Sequence, residues 1–155
     1  MTYSVTLIGT PGNGICGIGE YTDQFGEWLE QKGTNVCRIA INYEGRNPIH
    51  FFKQSVNAIR ERNDVIHVQY HYSLFGPHGC WTPVFFLPLL IASRFLNHIV
   101  VVTLHDLRIP EEVDGVKALG AKVLNWALSL CSDQLIFLAE DVAEKSHFQE
   151  RQYSV

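Results

Sequence analysis

The 155-residue sequence has no Cys-x-x-Cys pair, no block of like charge, no repeat and no low-complexity segment. Each absence removes a class of protein. The four cysteines, Cys16, Cys37, Cys80 and Cys131, are widely spaced. They read as reduced thiols in a cytoplasmic protein rather than as a metal knuckle or a disulfide framework. With no basic block and a net charge of −4, nucleic acid is not an expected partner. The longest apolar stretch, 83–96, is interrupted by Pro88 and spans about fourteen residues, where a membrane-crossing helix needs about twenty. It reads as a buried helix feeding the next strand, with a helix lying against a membrane surface as the alternative. Met1-Thr2-Tyr3-Ser4 runs straight into a strand, so no secretory leader is expected.

What is present describes one globular domain. Hydrophobic residues make up 46% and charged residues 18%, and the length allows a sizeable core. Short, continuous apolar strands are expected at 5–8, 35–41, 64–70, 99–104 and 134–139. Helical patterns separate them. The first has Ile18, Tyr21, Phe25, Trp28 and Leu29 at helical spacing and stops at Gly33. The second opens on Asn47-Pro48, a cap followed by proline at N1, with a stripe of Ile49, Phe52, Val56 and Ile59. The apolar stretch 83–96 is the third. The fourth carries Val116, Leu119, Val123, Ala127 and Leu130, and a last helix is expected from about Glu140. Strands of this kind alternating with helices imply an α/β fold, a doubly wound parallel sheet. Ligands in such folds bind at the carboxyl ends of the strands.

The first strand leads into Gly9-Thr10-Pro11-Gly12-Asn13-Gly14-Ile15-Cys16-Gly17-Ile18-Gly19, and a helix leads out. A strand, a glycine loop and a helix N-terminus can bring backbone N–H groups to a phosphate. A phosphorylated or nucleotide-linked ligand is therefore one reading, and a long turn that binds nothing is the other. A dinucleotide site fits poorly. Pro11 stands where the second fingerprint glycine belongs, and no acidic residue ends the second strand.

The fold expectation gathers three loops at one edge: the glycine loop, Gln69 to Gly76, and Thr103 to Leu107. Aromatic, amide and hydroxyl side chains suit sugars. His105 could exchange a hydrogen bond or proton with a hydroxyl, or be a satisfied strand-end histidine. Asp106 could cap a turn. His67 reads as core, or packed against a helix. A zinc set of His67, His71, His78 and Cys80 has no usual ligand spacing. No Ser/His/Asp or Cys/His nucleophile arrangement stands out. Cys16 lies near a helix N-terminus, which lowers a thiol pKa.

Four segments resemble a known family. Cys16-Gly17-Ile18-Gly19-Glu20-Tyr21-Thr22, the run from Asp64 to Gly76, Val100-Val101-Val102-Thr103-Leu104-His105-Asp106, and Ser132 to Glu140 resemble, in order, motifs of family 4 retaining glycosyltransferases of the GT-B fold. The resemblance implies a Rossmann-like, acceptor-side domain spanning 1–155, the N-terminal half of a GT-B architecture. The C-terminal nucleotide-sugar domain would be absent, or supplied by a partner chain. It implies a catalytic His105 near the donor sugar and a donor-phosphate loop of Gly14, Cys16 and Gly17. His71, Tyr72 and Asp106 would lie on the acceptor side. The substrates would be a nucleotide-sugar donor, as co-substrate rather than bound cofactor, and a carbohydrate or lipid-linked acceptor. No metal is implied. The chain alone would be inactive, in a cytoplasmic enzyme with peripheral membrane contact as an option. Cys16 replaces the motif's first glycine, and Tyr70-His71-Tyr72 replaces its glutamate after histidine. A different class remains open: a non-catalytic binding subunit that pairs with a separate donor-binding chain.

Overall fold

The computed structural model describes residues 3–12, 16–41, 47–106, 115–138 and 153–154. The strands are β1 (Ser4–Gly9), β2 (Asn35–Ala40), β3 (Val65–His71), β4 (Ile99–Asp106), β5 (Gln134–Phe137) and the two-residue β6 (Tyr153–Ser154). The helices are α1 (Gly17–Gln31), α2 (Pro48–Arg60), α3 (Thr82–Phe95) and α4 (Val116–Cys131). The sheet runs β2-β1-β3-β4-β5-β6, and every pair is parallel. Right-handed crossovers put α1 on one face and α2, α3 and α4 on the other. The chain reverses its direction of winding between β1 and β3, which makes their carboxyl ends the switch point of a Rossmann-like, doubly wound fold. The helix expected from Glu140 falls outside the described residues.

The two sheet faces differ in chemistry because side chains alternate along each strand. On one face Ile66, Val68 and Tyr70 of β3 meet Val100, Val102 and Leu104 of β4, and all are buried. They pack with Phe51, Phe75, Phe85, Phe86, Leu89 and Leu128 into one core. On the other face the same strands present His67, Gln69 and Thr103, also buried. The main core lies under α2, α3 and α4, while α1 covers a mixed face on which buried Val5 and Leu7 of β1 lie beside the polar residues of β3 and β4.

Three helix faces differ from expectation. The face of α1 that buries is Gly19, Thr22 and Gly26, whereas Tyr21 and Trp28 are exposed. The cause is close approach. A Cβ on Gly19 would stand 2.5 Å from the Pro11 carbonyl oxygen, and one on Gly9 would stand 2.8 Å from Thr22 Oγ1. Helix α2 starts as expected, with Asn47 Oδ1 accepting from Ile49 N–H at 2.9 Å. It buries Phe51, Ser55 and Ala58, and leaves Ile49 and Phe52 exposed. In α4, Ala121, Leu124, Ala127 and Leu128 are buried while Leu119, Val123 and Leu130 are exposed. The apolar stretch is buried only on the side of Phe85, Phe86, Leu89 and Ala92. Among the described residues no helix is long and apolar enough to cross a membrane.

Phe75 stacks with Tyr70 at 5.0 Å and meets Phe85 edge-on at 5.1 Å, with no exposed surface. Phe75→Ala should cost about 3–5 kcal/mol, read as a lower urea midpoint at unchanged slope.

Candidate functional site

The carboxyl ends of β1, β3 and β4 carry the residues singled out from the sequence. Strand β4 runs to Asp106, so His105 and Asp106 belong to the strand rather than to the loop after it. The reason is a register shift. Tyr70 pairs with Leu104, but His71 pairs with Asp106, which leaves His105 as the extra residue of a bulge. Bulges of this kind re-aim side chains near sites. Here the bulge allows two separate pairs at one edge, Gln69 with His105 and His71 with Asp106.

The first pair belongs to a chain of four side chains. Thr103 Oγ1 lies 2.8 Å from His67 Nε2, Gln69 Nε2 lies 3.5 Å from that same nitrogen, and Gln69 Oε1 lies 2.7 Å from His105 Nε2. An amide oxygen only accepts, so His105 carries its proton on Nε2 and keeps a lone pair on Nδ1. The amide nitrogen and the threonine hydroxyl both donate to His67, which is therefore protonated on Nδ1. Burial pushes the His105 pKa down to about 4, helped by the charge of His71. Burial, with His105 secondary, pushes His67 to the same region, about 4. Both rings are neutral at physiological pH. Two α1 rings stand edge-on against them, Tyr21 on His105 at 5.1 Å and Phe25 on His67 at 5.1 Å. His67 is thus packed against a helix, as its position within a strand suggested. Gln69, the hub, had no role in the sequence reading beyond its motif. Its spacing was the available signal: residues 67, 69 and 71 lie on one side of β3.

The second pair is looser. His71 Nε2 stands 3.5 Å from Asp106 Oδ2. His71 Nδ1 accepts from Ser73 N–H at 3.3 Å and contacts Ser73 Oγ at 2.8 Å. Serine, histidine and aspartate do meet here, which the sequence did not suggest. Because the same nitrogen takes the backbone N–H, His71 acts as the cap of the short 3₁₀ turn Tyr72–Phe75. Tyr72 stacks on His71 at 5.3 Å. Together they form a partly open, polar and aromatic edge.

At the glycine loop, Cys16 is the residue before the first turn of α1, and its carbonyl accepts from Glu20 N–H. No side-chain hydrogen bond closes that turn, but the Gly19 amide holds the thiol pKa below its ordinary value, with Thr10 assisting. Thr10 Oγ1 is 3.7 Å from the sulfur. A Cβ on Gly17 would meet nothing within 4 Å. Gly12 N–H is already engaged by Asp23 Oδ2 at 2.9 Å and is not free for an anion. Gly14 lies outside the described residues. Among the described residues no three His, Cys, Asp or Glu side chains gather as a metal set.

No protein-family model matches the chain, and no curated protein matches it. The edge must be interpreted from its own chemistry and from the motifs that build it.

Two outcomes follow from the neutral histidines. Between pH 6.5 and 4 the unfolded chain binds protons that the folded chain refuses, so stability falls as pH drops through that window. His67 alone is worth on the order of 3 kcal/mol, and urea midpoints for His67→Gln should fall less steeply with pH than those of the parent. Gln69→Glu places a carboxylate between the rings and should raise both histidine pKa values, which imidazole NMR titration reads directly.

Proposed function

We propose that this chain forms the acceptor-side domain of a retaining glycosyltransferase, which moves a sugar from a nucleotide-sugar to an acceptor hydroxyl. The observation that carries the reading is spatial. The segments around Cys16, His71 and His105, three of the four that resemble family 4 motifs, meet at the carboxyl edge of the sheet, at its switch point. An edge with a helix N-terminus, a neutral histidine and an aromatic–carboxylate pair suits that chemistry.

Glycosyl transfer passes through an oxocarbenium-like state. A protonated imidazole beside it would repel the growing positive charge. His105, neutral with its Nδ1 lone pair available, can accept from a sugar hydroxyl or face that charge without repulsion. The N-terminal end of the α1 dipole, beside Cys16 and Gly17, suits the departing diphosphate. His71 and Asp106, with Tyr72 as a stacking surface, would orient the acceptor. In this reading the leaving phosphate assists removal of the acceptor proton, and a second α/β domain or a partner chain facing the edge grips the nucleotide. Asp23 on Gly12 N–H and the nearby Glu20 disfavour tight binding of a free diphosphate by this chain alone. The setting is cytoplasmic.

The test uses the protein purified from its source cells, with labelled UDP- and GDP-sugars and lipid or carbohydrate acceptors. His105→Ala should lower kcat by about 10²-fold with little change in KM. An unchanged kcat would remove His105 from the mechanism. Rapid transfer by residues 1–155 alone would overturn the need for a second domain. Acceptor binding with no transfer in any combination would favour the non-catalytic binding subunit.

A further inference from the structure

The three helices over the apolar sheet face are dressed the wrong way round for water. A helix covering a core normally turns charged residues of both signs outward. Here α2, α3 and α4 contain no aspartate or glutamate at all. On α2 the outward residues include Ile49, Phe52, Lys53 and Arg60. On α3 they include Leu87, Ile91, Arg94 and Phe95, a stripe at helical spacing in which Phe95 is 79% exposed. On α4 they include Leu119, Lys122, Val123 and Trp126, again one stripe, with Trp126 65% exposed. Between α2 and α3 the apolar side chains leave a groove of about 210 Å³, walled by Phe52, Ile59, Leu87, Pro88, Ile91 and Leu96. The opposite helix, α1, carries Glu20, Asp23, Glu27 and Glu30 and no basic residue. Among the described helices the charges are thus separated, with acid on α1 and base with apolar bulk on α2, α3 and α4.

We propose that the outer face of α2, α3 and α4 docks on an anionic lipid bilayer. The occupant is chosen by chemistry. Aliphatic and aromatic side chains insert at the headgroup–acyl boundary while lysine and arginine meet lipid phosphates, and each basic residue near such a surface contributes about fivefold in partitioning. A second copy is disfavoured, because the charged residues within α2, α3 and α4 are all basic and two such faces repel. Joining this face to the acidic α1 face of another copy would propagate without closing. Nucleic acid is disfavoured by the exposed apolar side chains, which a phosphate backbone does not cover. The face lies to the side of the carboxyl edge, so a partner completing the candidate site leaves it open. The inference does not depend on sugar transfer.

The test is co-sedimentation of the full chain with vesicles, either pure phosphatidylcholine or equal parts phosphatidylcholine and phosphatidylglycerol. The chain should pellet with the anionic vesicles, bind neutral ones at least about tenfold less, and be released as salt rises. Lys53→Glu with Lys122→Glu should lower partitioning by more than about 25-fold. Ile91→Ser with Phe95→Ser should lower it as well. Both pairs are exposed, so circular dichroism and melting should match the parent. Glu27→Lys, on α1, should not weaken binding. Equal, weak pelleting with both vesicle types would overturn the proposal. So would variants that bind like the parent, or self-association of the chain that Phe95→Ser abolishes.

Discussion

The Gln69 side chain joins two histidines on adjacent strands, and the chemistry of the edge depends on that one amide. Its oxygen must accept, so His105 must donate from Nε2. Its nitrogen must donate, so His67 must accept. One fully buried residue therefore sets both tautomers, ties β3 to β4 on the polar face and leaves the outward nitrogen of His105 unprotonated. The amide can lie there because of its neighbour across the sheet: a Cβ on Gly9 would stand 3.3 Å from Gln69 Cβ and closer still to Thr22. The glycine that opens the loop thus also makes room for the hub.

A polar chain inside a sheet is tolerable only if the other face supplies the stabilisation. Alternation along β3 and β4 divides the labour. Ile66, Val68, Tyr70, Val100, Val102 and Leu104 are buried in the core, while the intervening positions hold His67, Gln69, Thr103 and His105. Every nitrogen and oxygen of this chain that faces another has a partner of matching polarity, which is the condition for burying polar groups at small net cost. A proton added to His67 Nε2 would break that match, and burial holds both rings far below the ordinary histidine range.

The alternation of strands and helices and the parallel sheet were legible because short apolar runs separated by helical spacing admit few other architectures. The cap at Asn47 and the glycine close to each turn were legible for the same local reason. What misled was the assumption that the largest apolar residues of a helix face inward. On α1 the sheet comes so near that only Gly19, Thr22 and Gly26 fit, and Tyr21 and Phe25 are displaced to the flank, where they meet the histidines. Spacing alone cannot distinguish a buried stripe from its neighbour 100° round the helix when both are apolar, as in α2 and α4. The bulge at His105 was illegible too. It arises from pairing between strands distant in sequence, and no single segment encodes it.

The same misreading points to how the molecule is oriented. Outward leucine, isoleucine, phenylalanine and tryptophan on three successive helices are not scattered surface residues, which need no explanation. They share one layer, they are joined by basic side chains, and the acidic residues of the described helices lie on the opposite face. Near an anionic surface the charges of the described helices would favour turning the α2–α4 layer inward and α1 outward. The carboxyl edge would then stand beside the surface rather than under it. A lipid-linked acceptor could rise to His71 and Asp106 from the side while a soluble donor arrived from solvent. The two faces of the sheet, one apolar and one partly polar, would so be matched by two surroundings, and the edge between them is where molecules from both can meet.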